Sequence, residues 1–289
     1  MNIIRLNNDK IDKRKWDERI THSSFPSIYA LSWYLDTVSP NWEALISDDY
    51  EYVFPLTVKK KWKSVKYIGV PNFCQQLGLF SIHPIDESAL LQFLDAIPKT
   101  YIRKDIPLNH SNPMIESLKK RDNFILNVSS ISEVRAKYSS QTKRNLKKGK
   151  NNHLTVKRDV DFQQLIELFK DTKGKTIQKV DYSILENLCK ACSAYSILHT
   201  YAIYDESELI SGALFFEFNK RWYMMLLASS AKGKDLLAAT VLIDHALERI
   251  SERKMTLDFE GSSIPSLARF YKGFGGMNEA YHIYTKRLV

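Results

Sequence analysis

The fold is decided by MTLDFEGSSIPSLARFYKGFGG, residues 255–276. Met255 to Phe259 reads as a short apolar strand that stops at Glu260-Gly261. Ile264 to Phe274 then reads as a helix, with Pro265 in its first turn and Gly275-Gly276 beyond its end. Asp258 and Glu260 stand two apart at the strand terminus, so a period of two places both carboxylates on one face, where either can take a proton from an amine. Tyr271 follows on the next helix, where a phenol can protonate a leaving group. Singly, each residue reads better as a cap, an ion pair or a packing ring than as a catalytic group. Their convergence on one strand-to-helix junction carries the catalytic reading.

Upstream, Ala202 to Tyr204, Leu209 to Phe218 and Arg221 to Ala228 read as an antiparallel meander, parted by Asp205-Glu206-Ser207-Glu208 and Asn219-Lys220. The period changes over Asp235 to Arg253, where Leu236, Ala239, Ile243, Ala246, Leu247 and Ile250 share a helical face. The linker Ser229 to Lys234 joins strand to helix. Its helix-start amides with two lysines make an anion site of Ser230, Lys232, Gly233 and Lys234.

The first half repeats that order. Strands are expected at Trp42 to Ile46, Tyr52 to Val58, Val65 to Val70 and Gln75 to Phe80. A helix at Glu87 to Ile97, a strand at Thr100 to Ile106, a helix at Pro113 to Arg121 and a strand at Phe124 to Val128 follow. The repeat argues for a duplicated α/β unit. Between the halves, Ser132 to Asn152 is polar and carries Lys143, Arg144, Lys147, Lys148 and Lys150. Ser132-Glu133 is a helix start and Gly149 with Asn151-Asn152 a stop. The boundary falls near Ser132, giving domains 1–131 and 132–289, with the closing strand, Ala280 to Leu288, free to pack on the first.

A chain of 289 residues favours two domains, and its 44% hydrophobic and 26% charged residues exclude disorder and fibre. Lysine plus arginine exceed aspartate plus glutamate by 42 to 33, which favours anionic partners. Met1 to Lys10 has no apolar h-region, and Leu236 to Ile243 is far shorter than the roughly 20 residues of a membrane span. These features predict a soluble, cytoplasmic protein. Cys74, Cys189 and Cys192 are too few for a disulfide scaffold.

Several motifs are set aside. Gly174-Lys175-Thr176 resembles a P-loop end, but Phe169 stands where the loop needs glycine. Cys189-Lys190-Ala191-Cys192 lies inside the helical pattern Tyr182 to Ser193, as core cysteines do. No histidine pair has metal-ligand spacing, so no metal is expected. The run Lys143 to Lys150 is read as a solvated helix face or a contact for a phosphate-bearing substrate, without a nucleic-acid motif.

Ala268-Arg269-Phe270-Tyr271-Lys272-Gly273-Phe274-Gly275-Gly276 is similar to the helix end of GCN5-related acyltransferases (the GNAT fold), whose tyrosine is commonly the general acid. Lys143-Arg144-Asn145-Leu146-Lys147-Lys148, Leu257-Asp258-Phe259-Glu260-Gly261-Ser262 and Pro71-Asn72-Phe73-Cys74-Gln75-Gln76-Leu77-Gly78-Leu79-Phe80 resemble FemABX-like transferases, which are two GNAT-like units in tandem. The resemblance implies an α/β fold of two tandem GNAT-like domains, each a mixed, mostly antiparallel sheet flanked by helices. The first would be degenerate and serve the acceptor, and the second would bind the donor and carry catalysis.

The activity so implied is transfer of an acyl or aminoacyl group to a primary amine on a small molecule or peptide. No cofactor is held tightly; acyl-CoA or an aminoacyl-tRNA is the co-substrate, and tRNA is a candidate partner. The catalytic set is Tyr271, Glu260 and Asp258, the donor set Ser230, Lys232, Gly233 and Lys234, and the substrate set Lys143, Arg144, Lys175 and Gln76. The sequence departs from the cell-wall branch at Tyr34-Leu35-Asp36-Thr37, where a basic residue is usual, and at Tyr271, where a lysine is usual. It departs from coenzyme A-dependent members in having one glycine in Ser230 to Asp235, which restricts backbone approach to a pyrophosphate. Two rival readings are a catalytically silent GNAT-like module binding an anionic ligand, and a nonspecific RNA-binding protein led by Lys143 to Lys150.

Overall fold

The computed structural model describes residues 1–61, 65–174, 181–261 and 264–287. Two compact units emerge: Met1–Arg121 with Ala280–Val289, and Asp122–Glu279. In the first unit the elements run β1 (Ile3–Asn7), α1 (Lys13–His22), α2 (Ser32–Val38), β2 (Glu43–Ser47), β3 (Tyr52–Leu56), β4 (Val58–Lys61), β5 (Val65–Ile68), β6 (Phe80–Ser81), α3 (Glu87–Ala96), β7 (Arg103–Pro107) and β8 (Lys119–Arg121). The second unit contains β9 (Phe124–Asn127), α4 (Ile131–Lys137), α5 (Ser140–Lys150), β10 (Thr155–Arg158), α6 (Phe162–Phe169), α7 (Tyr182–Ala194), β11 (Leu198–Asp205), β12 (Glu208–Phe218) and β13 (Arg221–Ser229). It continues through α8 (Ala231–Asp235), α9 (Ala238–Glu252), β14 (Thr256–Asp258), α10 (Pro265–Gly273) and β15 (Met277–Asn278). The chain then returns to the first unit as β16 (Tyr281–Arg287).

The first unit holds a four-stranded sheet, β1-β2-β3-β6, and a five-stranded one, β4-β5-β7-β16-β8. Its core joins Phe54, Leu56, Val58, Ile68 and Ile106 to Leu90, Phe93 and Leu94 of α3, whose start is capped by Asp86. The second unit has one seven-stranded sheet, β10-β11-β12-β13-β14-β9-β15. It is antiparallel throughout except for the parallel pair β13/β14. Val241, Leu242, Ile243, Ala246, Leu247 and Ile250 of α9 join Phe215, Trp222 and Leu257 in its core. Helix α5 crosses α9 closely: a Cβ on Gly149 would stand 2.7 Å from Val241 Cγ2.

Several local expectations change. Pro113 to Arg121 forms no helix; its end is β8, because Lys119 and Arg121 pair with Ile283 and Tyr281, a long-range ladder that overrides the local pattern. Of Gln75 to Phe80 only the last residue enters a strand, although Leu77 bridges Leu108. The helix over Asp235 to Arg253 is interrupted by Leu237 in the left-handed region (φ 60). Ser130, not Ser132, caps α4, accepting from the Glu133 amide at 3.3 Å. Strand β9, read as closing the first half, lies between β14 and β15, so the compact units do not divide at Ser132. No helix among the described residues is long and apolar enough to cross a membrane.

Candidate active site

The parallel pair β13/β14 matches Arg221 with Thr256, Trp222 with Leu257 and Tyr223 with Asp258. The register ends there, while β13 continues to Ser229. On its other side, the β12/β13 register shifts between Leu214 and Phe215, a bulge that bends β13. The β13/β14 pairing stops at Asp258, the last residue of β14, and Phe259, Glu260 and Gly261 follow at that strand end.

The chain turns sharply at that strand end. Glu260 (φ 62) and Gly261 (φ 70) are both left-handed, a conformation that strains glutamate but not glycine. The Glu260 amide donates to Asp258 Oδ1 at 2.9 Å, which fixes the turn. The turn ends strict alternation, so the expectation that Asp258 and Glu260 share a strand face gives way to two environments.

Asp258 is 1% exposed and belongs to an ion network. Arg221 Nη1 donates to Asp258 Oδ2 at 2.9 Å and to Glu279 Oε2 at 2.7 Å, while Arg221 Nη2 reaches Glu279 Oε1 at 2.9 Å. Asn123 Nδ2 lies 3.3 Å from Asp258 Oδ2. Burial pushes the Asp258 carboxyl above its ordinary value against the opposing pull of Arg221. Glu260 has the opposite situation: its Oε1 is buried with no hydrogen-bond partner among the described residues. Burial pushes this carboxyl up to about 8. Such a carboxyl is poised to exchange a proton near neutral pH.

Tyr271 comes from α10, started by Pro265 at its first turn. It is 5% exposed, and its ring stacks on Phe259 at 4.6 Å and 17°. Burial raises the phenol well above its ordinary range, and the charge of Glu260 raises it further. The hydroxyl therefore stays protonated across the working pH range. The stack couples the phenol's position to the strand end that sets Glu260.

The segment Ser230 to Lys234, expected to meet the donor, is shaped by packing as well as by charge. Ser230 caps α8 by accepting from the Gly233 amide at 3.1 Å. A Cβ on Gly233 would stand 2.1 Å from Ile210 O, so glycine is required by the neighbouring strand. Lys232 is gripped by Asp205 at 2.7 Å and Glu208 at 2.9 Å, and these bonds hold its ammonium above its ordinary value. Lys234 is exposed.

The remaining expected contacts lie elsewhere. Lys143 and Arg144 are exposed on α5, where Lys143 Nζ donates to Ala136 O at 2.9 Å and Arg144 Nη2 to Gln141 Oε1 at 2.8 Å. Gln76, in the first unit, is 1% exposed and accepts from the His110 amide at 2.9 Å, a supporting role for that loop. Lys175 lies outside the described residues. Cys189 and Cys192 are fully buried on α7, and burial pushes the Cys189 thiol up to about 12. No group of three or more His, Cys, Asp or Glu side chains is placed to hold a metal ion among the described residues.

Two polar networks escape sequence reasoning. One is Arg221 with Glu279 around Asp258. The other centres on Asp244, whose buried carboxylate accepts from Arg135 Nε at 2.9 Å, Lys150 Nζ at 2.9 Å and Tyr138 Oη at 3.0 Å. The partners are far apart along the chain, and no local pattern marks them.

The parallel strand pair within an otherwise antiparallel sheet, the left-handed strand end and the stacked tyrosine belong to a recognisable class. Residues 132–272 match the family model described as an acetyltransferase (GNAT) domain. The chain has the fold of tandem GNAT proteins and resembles the FemABX-like transferases. The crystal structure of FemX superposes with a TM-score of 0.69 at 14% identity, covering 100% of this chain and 98% of that one. A tandem GNAT protein from the clavulanic acid biosynthesis pathway gives 0.59 at 9% identity, covering 99% and 98%. The C-terminal domain of a putative lysylphosphatidylglycerol synthetase from Agrobacterium fabrum gives 0.55 at 10% identity, covering 97% and 93%. No curated protein matches the chain in sequence.

Proposed function

We propose that this protein transfers an acyl or aminoacyl group from an activated carbonyl, a thioester or an aminoacyl-tRNA ester, to a primary amine by direct attack. The observation that carries the reading is the Glu260 carboxylate oxygen, buried at the end of β14 without a partner among the described residues. An orphaned acceptor there costs stability, and a substrate N–H would satisfy it. The amine nitrogen attacks the donor carbonyl and its proton passes to Glu260. As the carbon–sulfur or carbon–oxygen bond breaks, Tyr271 protonates the departing thiolate or ribose oxygen and regains its proton through solvent. No covalent enzyme intermediate is needed.

Of the two donor classes, the aminoacyl ester has the better support. Lys232 is already neutralised by Asp205 and Glu208, and Gly233 is pressed against Ile210 O, which leaves a poor cradle for a pyrophosphate. Amide formation with acetyl-CoA, longer acyl-CoAs and aminoacyl-tRNA, each offered with a panel of primary amines, tests the reading. Turnover only with the tRNA ester supports the preferred donor; turnover only with a thioester reverses it. Ligand binding without turnover for every donor would leave the silent binding module.

A further inference from the structure

The outward face of the five-stranded sheet in the first unit carries a line of cations that the transfer chemistry does not use. Cross-strand partners share a face, and β16 pairs Tyr281 with Arg121, Ile283 with Lys119, Thr285 with Asp105 and Arg287 with Arg103. The alternate residues lie on the other face, where Ile106 enters the core and His282 and Lys104 are buried. The outward face therefore presents Arg121, Lys119, Arg103 and Arg287 in order along β16, opposed by Asp105, which pairs with Arg103. From Tyr281 to Arg287 the strand spans about 20 Å.

This face is hollow. A cavity of about 540 Å³ is lined by Lys119, Arg121, Arg287 and Thr285, by the apolar Leu118 and Ile283, and by Asp105, whose carboxylate is held by Arg103. Lys119, Thr285 and Arg287 are exposed, and Arg121 is partly so. A single phosphate would use one end of such a line. A planar bilayer would meet projecting side chains before it met a trough. A chain of regularly spaced phosphates engages cations along the whole length.

We propose that the Arg121–Lys119–Arg287 trough binds the phosphodiester backbone of single-stranded nucleic acid. The inference goes beyond the transferase reading and stands on residues of the first unit alone, so loss of turnover in site variants does not bear on it. It also differs from a basic-helix interface on Lys143 to Lys150.

The test is fluorescence anisotropy of the full chain with labelled oligo-uridine and oligo-thymidine of about 12 nucleotides, between about 50 and 200 mM salt. Three to four neutralised phosphates predict a log–log salt slope of about −2 to −3. Lys119→Glu with Arg121→Glu should weaken binding about tenfold or more and flatten the slope. Lys147→Glu with Lys148→Glu, the same charge change on exposed α5 positions, should alter affinity by less than about twofold. Should the glutamates lower the melting temperature, Lys119→Gln with Arg121→Gln carries the test, with a threefold or greater loss expected. Equal loss from the Lys119/Arg121 and Lys147/Lys148 double variants, or no strand binding by the unmodified chain, overturns the proposal. So does equal affinity for a mononucleotide, which would make the trough a single-phosphate site. Flotation with anionic vesicles that is lost in the same variant, without strand binding, would reassign the face to a membrane surface.

Discussion

The amide of Glu260 donates to the carboxylate of Asp258 at 2.9 Å, so one carboxylate aims the other. Asp258 is held by Arg221 and Asn123 and cannot approach a substrate without breaking a buried ion pair. Within the proposed mechanism, the proton acceptor is Glu260 alone and Asp258 is a positioning residue.

Glu260→Gln should therefore lower kcat and kcat/KM together by about 10²-fold or more, with donor affinity nearly unchanged. The unmodified enzyme should gain activity as pH rises through about 8, where the carboxyl releases its proton. The glutamine variant should lose that limb. Steady-state kinetics between pH 6 and pH 10 checks both, and a retained limb would assign the base elsewhere.

Asp258→Asn should act differently. It removes the buried negative charge that pairs with Arg221 but keeps an amide oxygen that can accept from the Glu260 amide, at a cost on the order of 3 kcal/mol, moderated because Glu279 still holds the guanidinium. Thermal unfolding should show a lower midpoint. The pH profile of whatever activity remains should keep the limb near pH 8, because Glu260 is still present.

Tyr271→Phe keeps the stack on Phe259 and deletes only the hydroxyl. A leaving-group acid predicts a fall in turnover of about 10²-fold with unchanged melting temperature and unchanged binding. The loss should shrink for donors whose leaving group is more acidic. A uniform loss across leaving groups would mark Tyr271 as a positioning ring.

Glu260 also predicts how stability varies with pH. Its folded carboxyl is raised to about 8, above its ordinary value of 4.5, so between those values the folded state holds a proton that the unfolded state has released. Stability must then fall as pH rises through that window and level off above it. Glu260→Gln removes the effect. Its melting temperature should exceed that of the unmodified protein by a growing margin from pH 5 to pH 8, as thermal scans would show.

Asp244 has the reverse sign. Burial alone would raise its carboxyl, but hydrogen bonds from Arg135 and Lys150 hold it below the ordinary value. Its stabilisation is fully present above the ordinary carboxylate value and disappears as pH falls through the lower folded one. Asp244→Asn should destabilise by about 3 kcal/mol at neutral pH, and the difference from the unmodified protein should narrow below about pH 4. Chemical denaturation at pH 7 and pH 3.5 measures it.

The second half was readable where burial follows a local period. The meander and the apolar stripe of α9 are written in short windows, and the Pro265 and Gly275 punctuation marks α10. Glu260 and Tyr271, the pair to which the proposed mechanism gives proton transfer, are visible in the sequence, but the ion network that separates Asp258 from Glu260 is not. Asp258 and Arg221 are 37 residues apart, and Arg221 and Glu279 are 58 apart, so no window contains the network. The left-handed turn at Glu260 likewise has no mark in a glutamate, whose residue type argues against it. Strand β8 was misread because three basic residues take their structure from a partner strand at the far end of the chain.

That far strand sets an order of assembly. Strand β16 lies between β7 and β8, yet it is synthesised after the whole of Asp122–Glu279. During translation the five-stranded sheet must wait with β8 lacking its neighbour, while the seven-stranded sheet already has all its strands. The later-made unit can thus complete its sheet first, and the earlier-made one is closed by the ribosome's last contribution to either. A nascent chain stalled before Tyr281 would expose an unpaired edge and a row of lysines and arginines to any chaperone near the exit tunnel.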